Sequence, residues 1–403
     1  MTGYTGAGTG YRTPRYAPQR GAVGRLLSRE SPLRRTDWLL VLAALALSGV
    51  GSLLVWSATR SRVEINHGDP QYFLVRHLMN LLIGVGLCTA VVLVGHHRLR
   101  TAAPFLYGLA VLGVLAVLSP LGSTVNGAHS WIVLGGGFSV QPSEFCKIAI
   151  ILGMATLLSA RVDAGELPFP DGRSIVKALV LAAVPIGIIL LMPDLGSTMV
   201  MVVIILGILL ASGAPKRWLF GLIAVGVLGA FAVVQLHLLK QYQIARFAAF
   251  ADPGLDPAGV GYNTAQARIA IGSGGLMGKG LFHGTQTTGQ FVPEQQTDFV
   301  FTVAGEELGF LGAALIILLL GIILWRACRI ARQATDLYGT VVASGVIAWF
   351  GFQAFENIGM TLGIMPVAGI PLPFVSYGGS SMFAIWIGIG LLQSVRMQRS
   401  IGV

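Results

Sequence analysis

Ten apolar stretches follow one another along the chain, at residues 38–58, 71–95, 102–119, 143–160, 174–193, 196–213, 216–238, 299–325, 339–365 and 378–395. A hydrocarbon core of about 30 Å takes about 20 residues of helix, so each stretch predicts one crossing, the third, fourth and sixth being short. Only Pro193-Asp194-Leu195 lies near the break between the fifth and sixth, so 174–213 also reads as one long bent helix. The pattern as a whole predicts an all-α, polytopic membrane protein of about ten transmembrane helices. Two segments depart from it. Residues 1–36 are rich in Gly, Arg, Ser, Thr and Pro and read as a disordered basic tail. Residues 239–298 are polar and glycine-rich, and far longer than an ordinary connection, which marks a functional loop.

Composition sharpens this picture. Of 403 residues, 54% are apolar and 11% charged, where a soluble domain carries about 25% charged residues. That excludes a soluble globular enzyme, a disordered chain and a coiled coil. The net charge of +10 would suit a nucleic-acid partner, but the positions of the cations argue against one. With the tail inside, 19 of the 27 Lys and Arg fall on the cytoplasmic side: seven tail arginines and residues such as Arg98, Arg161, Lys216, Arg326 and Arg396. Six fall outside (Arg60, Arg62, Lys240, Arg246, Arg268 and Lys279), while Arg76 and Lys147 lie within spans. This positive-inside bias predicts a plasma-membrane protein with both termini cytoplasmic and loop 239–298 extracytoplasmic. Cys88, Cys146 and Cys328 lie in or beside apolar segments and form no disulfide framework. The first apolar stretch, after Asp37, is long enough to span and does not read as a cleavable signal. No short repeat is visible, and an inverted repeat of the transporter kind stays open.

Ionisable groups at membrane depth are costly, which makes each a functional candidate. Glu144 and Lys147 open the fourth span at spacing i, i+3 and share one helical face, with Pro142 suited to the helix start and Ser143 to its cap. They read either as a structural ion pair or as the charged wall of an outward cavity. Asp298 closes the long loop where it meets the eighth span. A partly desolvated carboxylate there suits a general base, and capping of the next helix is its other reading. Glu306 and Glu307 lie deeper, as pocket groups or as neutralised or paired structural carboxylates, and Asp194 suits a turn and cap. In the loop, Gly272-Ser273-Gly274-Gly275 lacks the Lys-Ser/Thr ending of a nucleotide phosphate loop, while Arg246, Arg268 and Lys279 are candidates for diphosphate oxygens or plain solvated charges. Between Asn357 and Ser381, three prolines and five glycines disfavour regular helix, so this stretch reads as an outer loop or as irregular backbone lining a cavity. Ser376 and Tyr377 are its candidate substrate contacts.

Taken together, Gln141–Lys147, Pro193–Gly196, Asp256–Gly261, Ile269–Gly280, Pro293–Gly309 and Asn357–Ser381 make the chain from about residue 38 to 398 resemble the SEDS family (shape, elongation, division and sporulation). Gly280 to Gln286 and Asn357 to Met360 are more similar to its RodA branch than to its FtsW branch. The arginine-rich tail departs from short-tailed members. The resemblance implies a ten-span peptidoglycan glycosyltransferase that polymerises lipid II during cell elongation. It implies a class B penicillin-binding protein, a transpeptidase, as partner among the membrane proteins of the elongation complex. It also implies that Asp298 matches the catalytic aspartate, and that Glu144 and Lys147 match a charged pair near the same cavity. A divalent cation (Mg or Mn) accompanies such activity, although the sequence shows no dedicated ligand cluster. The competing expectations are a lipid II flippase, the division-type polymerase of the FtsW branch, and a non-catalytic scaffold.

Overall fold

Helix starts and stops are written in local chemistry. Asp37, Asp171, Asp194 and Asp336 each stand at a helix N-cap and accept a hydrogen bond from a main-chain amide three residues on. Gly95 and Gly363, at φ of +79° and +76°, turn the chain where helices end. The computed structural model describes residues 35–62, 66, 68–125, 128–135, 138–192, 194–236, 244, 250 and 259–398. Residues Asp37–Val403 form one compact unit, and the expected tail 1–36 lies outside the described residues save for Arg35 and Thr36.

The helices are α1 (Trp38–Thr59), α2 (Tyr72–Val94), α3 (His96–Val117), α4 (Pro142–Asp163), α5 (Gly172–Leu191), α6 (Leu195–Ala211) and α7 (Lys216–Gln235). After them come α8 (Val260–Ser273), α9 (Thr285–Thr288), α10 (Val300–Glu307), α11 (Gly309–Arg332), α12 (Leu337–Leu362) and α13 (Gly379–Gln398). Among the described residues nine of these are long and apolar enough to cross a membrane, and α6 is a shorter apolar helix. The chain is a multi-pass, essentially all-α membrane protein. Helices α4, α12 and α13 form its buried centre, with α2 packed on α13 and α6 on α12. Helix α7 has no buried residue.

Two expectations are corrected. The predicted eighth span, 299–325, is two helices, α10 and α11, parted at Leu308-Gly309. Gly309 sits at φ +66°, and the facing segment 275–280 satisfies the exposed main-chain groups on either side of the break. Gly275 O and Leu276 O accept from Phe310 N and Leu311 N, while Lys279 N and Gly280 N donate to Glu306 O and Glu307 O. The predicted short third span is a 22-residue helix, because the polar His96 to Arg100 turn continues it beyond the apolar core. A small antiparallel sheet, β1 (Gly122–Val125), β2 (Ala128–Gly135) and β3 (Phe138–Val140), lies between α3 and α4 in order β1-β2-β3, with Ile132 paired to Gly122 and Val140.

The segment 363–378 is irregular, and Leu372 to Ser376 are buried. Gly51 of α1 meets the main chain of Val375, and Gly196 of α6 meets the carbonyl of Ala368. A Cβ would stand 2.6 and 2.7 Å from those atoms. The irregular backbone is therefore wrapped in protein, the condition for its existence at membrane depth.

Candidate active site

Asp298 is half-buried in a run of turns ahead of α10, its amide donating to Glu294 O at 3.1 Å. The N-cap of α10 is Phe299, so Asp298 is not the capping residue. Its Oδ2 lies against Gly369, which stands at φ +71°; a Cβ there would be 3.4 Å from that oxygen.

Three successive carbonyls of this segment are held by α12 and segment 363–378. Gln296 O accepts from Tyr377 N at 2.8 Å, Thr297 O from Ser376 Oγ at 2.5 Å, and Asp298 O from Asn357 Nδ2 at 2.8 Å. Ser376 Oγ also accepts from Leu372 N at 2.8 Å. Ser376 and Tyr377 thus touch the segment that carries Asp298, at the carbonyls of Thr297 and Gln296.

Glu144 and Lys147 lie on the first turns of α4 and pair at 2.6 Å, both almost fully buried. Pro142 occupies N1, but the N-cap is Gln141 and not Ser143. Ser143 Oγ, already inside the helix, instead reaches Asp194 Oδ2 and Ser197 Oγ, both at 3.4 Å. Asp194 caps α6 through Ser197 N at 2.9 Å, and Gln141 Nε2 donates to its other oxygen at 3.2 Å. Pro193 lies outside the described residues. Lys147 Nζ also lies 5.4 Å above the Trp349 ring and 3.5 Å from Gln353 Oε1.

From there the contacts run on to the aspartate. Gln353 Nε2 donates to Pro371 O at 2.8 Å, the adjoining Ile370 O accepts from Asn357 Nδ2 at 2.7 Å, and Asn357 holds Asp298 O. Polar contacts, bridged once by the Ile370–Pro371 peptide, therefore join the ion pair on α4 to the main chain of Asp298. The site lies at the start of α4, opposite the end of that helix that carries Arg161.

The other expected residues sit apart from this chain. Lys279 is ion-paired to Glu306 at 2.7 Å and bonded to Thr285 Oγ1 at 2.7 Å. Glu306 also accepts from the amides of Gln286 and Thr287 and from Thr287 Oγ1, each at 2.8 Å. It is a paired structural carboxylate that organises loop 279–287 against α10. Glu307 Oε1 accepts from Ser57 of α1 at 2.6 Å. Arg268 is exposed on α8, its stem against Gly363. Arg246, with Asp252-Pro253 and Asp256-Pro257, lies outside the described residues.

Sequence reasoning missed four members. Arg62 Nη1 donates to Gln296 Oε1 at 2.9 Å, and Arg76 bonds Tyr377 while its guanidinium lies 4.2 Å over the Tyr72 ring. Gln353 and Gln296 complete the set. A signal for Gln353 exists: with Glu356 and Asn357 it places three polar side chains within five residues of an apolar span. Among the described residues no three His, Cys, Asp or Glu side chains come together, so no residue is assigned to a resident cation. An apolar groove of about 610 Å³ runs beside α10, lined by Ile271, Phe301, Phe310, Ile317 and Leu362.

Comparison with known proteins gives a consistent result. The model of the FtsW/RodA/SpoVE family, described as cell cycle proteins, matches residues 37–401. The chain is 38% identical to stage V sporulation protein E of Bacillus subtilis over 360 residues, 89% of this chain and 96% of that protein. It is 34% identical to the peptidoglycan glycosyltransferase MrdB of Escherichia coli K12, over 92% of this chain and 98% of that one. Among solved structures it resembles a chain of a peptidoglycan synthase complex described as coordinating polymerization and crosslinking, at a TM-score of 0.72 and 32% identity, covering 90% of this chain and 98% of that one.

Proposed function

This chain belongs to the FtsW/RodA/SpoVE family and is a membrane peptidoglycan glycosyltransferase, and from that premise we propose that it polymerises lipid II during cell elongation with Asp298 as its general base. The observation that carries the reading is the chain of contacts from Glu144–Lys147 through Gln353, Pro371, Ile370 and Asn357 to Asp298. It fixes a cation and a carboxylate, of opposite use in glycosyl transfer, to one frame.

In the reaction a sugar hydroxyl of one lipid II attacks the anomeric carbon of a lipid-linked glycan strand. The new carbon–oxygen bond forms as the bond to undecaprenyl diphosphate breaks. Asp298 takes the hydroxyl proton. Lys147, held by Glu144, stabilises the departing diphosphate, with Arg62 and Arg76 as nearby cations and Arg246, Arg268 and Lys279 as further candidates from the loop. The groove beside α10 suits the prenyl chain, since it is apolar and adjoins the helix that follows Asp298. A divalent cation is expected to assist the diphosphate, drawing its ligands from the substrate. The positive-inside bias supports cytoplasmic termini and, with them, an outward-facing Asp298. Likeness to a synthase complex supports a class B penicillin-binding protein as the transpeptidase partner.

The test is polymerisation of lipid II in detergent by the purified protein with its transpeptidase, that partner's own polymerase activity excluded. The intact pair is expected to make glycan strands and the Asp298→Ala pair none, at equal expression and melting temperature. Full polymerisation by folded Asp298→Ala rejects the base. A lipid flippase makes no product in detergent, where there are no two sides to cross.

A further inference from the structure

Asp298 has no regular element to fix it. It stands in the turns of residues 294–299, ahead of a short helix that is itself broken from α11. Three carbonyl contacts, at Gln296, Thr297 and Asp298, anchor the segment that carries it. We propose that Asn357 and Ser376 are positioning residues, gripping the main chain of Thr297 and Asp298 so that the carboxylate meets the acceptor hydroxyl. This rests on the reading of Asp298 as general base.

The side-chain chemistry is specific. Asn357, fully buried on α12, donates to two carbonyls at once, Asp298 O at 2.8 Å and Ile370 O at 2.7 Å. An amide nitrogen supplies both protons from one atom, whereas a carboxylate or an aliphatic chain supplies neither. It thereby ties the aspartate's strand to segment 363–378, which is wedged at Gly51 and Gly196 and cannot drift. Ser376 is used in both senses, as acceptor from Leu372 N and donor to Thr297 O. Only a hydroxyl of this size does both, so threonine can replace it and alanine cannot. Neither residue needs to touch substrate to control the reaction. A displacement of about 1 Å in a reacting group costs on the order of 100-fold in rate.

The experiment uses the full chain with its transpeptidase and lipid II, reading kcat, KM and melting temperature. Asn357→Ala and Ser376→Ala are each expected to lower kcat by ~10- to 100-fold while KM for lipid II stays within about twofold, and Ser376→Thr to restore kcat. A folded Asn357→Ala or Ser376→Ala with wild-type kcat overturns the proposal. So does a rise in KM alone, which would mark a substrate contact. Should Asn357→Ala fail to fold, the Ser376→Ala and Ser376→Thr pair decides by the same criteria. Full activity of Asp298→Ala sinks the base itself, whereas inactivity of Asp298→Ala beside full activity of the other variants sinks the positioning role alone.

Discussion

Lys147 shows how one side chain serves stability and chemistry together. It is almost fully buried, with Glu144 as its counter-ion and the Trp349 ring and Gln353 close to its ammonium group. Removing one partner of a buried pair leaves the other as an uncompensated charge, at about 3–5 kcal/mol, while removing both is often nearly neutral. Lys147→Met is therefore expected to lower the melting temperature in detergent and to abolish lipid II polymerisation. The double variant Glu144→Gln, Lys147→Met is expected to regain most of the melting temperature and none of the polymerisation. Regained activity in the double variant would reduce the pair to a helix-orienting device. The pair itself was legible, because opposite charges at i, i+3 offset within an apolar span the cost that each would carry there alone. The contacts that hold the segment of Asp298 were not. Asn357 bonds the carbonyl of Asp298, and Ser376 and Tyr377 bond those of Thr297 and Gln296, across about 60 to 80 residues of sequence, and no local pattern encodes such contacts.

Among the elements, the break between α10 and α11 is the informative departure. Hydropathy reads residues 299–325 as one span because it does not see backbone conformation. What parts the helices is Gly309 at φ +66°, packed so closely on segment 276–278 that a Cβ would lie 2.2 Å from Gly278 N and 2.7 Å from Leu276 O. A side chain there meets both a disfavoured backbone region and a main-chain clash. Gly309→Ala is thus expected to cost upwards of ~2 kcal/mol and lower the melting temperature by several degrees. Gly321→Ala on the same helix, where a Cβ meets nothing within 4 Å, is expected to leave it unchanged or slightly raised. Equal behaviour of the two variants would refute the account. The sheet was missed for a different reason. Asn126-Gly127 and Gly135-Gly136-Gly137 are turn signals on either side of a short segment that ends in the β-prone run Trp131-Ile132-Val133, but a reading tuned to twenty-residue apolar runs passes over strands of three to eight residues. The nine long apolar helices, by contrast, follow from the length of the bilayer core and needed no tertiary information.

At the scale of the whole molecule, two carboxylates lock the basic end of the bundle, far along the helices from the candidate site. Asp37 caps α1 through Leu40 N and receives Arg326 of α11 and Arg396 of α13, the latter at 2.8 Å, while Gln393 bonds its main chain. Asp336 caps α12 through Gly339 N at 2.8 Å and joins it to His96 of α3 at 3.0 Å and to Gln398 of α13 at 3.1 Å. Partial burial pushes the Asp336 carboxyl up, but the hydrogen bonds from His96, from the Gly339 amide and from Gln398 outweigh it and hold the group at about 2. An unfolded aspartate titrates near 3.9. The folded group therefore binds its proton less readily than the unfolded one, and its contribution is fully present above pH ~4 and lost as the pH falls towards 2. In detergent, the melting temperature is expected to drop over that window in the intact protein, and Asp336→Asn is expected to start lower at neutral pH and lose less on acidification. Parallel acid limbs for the two proteins would mean that the Asp336 latch contributes nothing to holding α3, α12 and α13 together. In that case the burden at this end falls on Asp37, where the two arginines converge from separate helices.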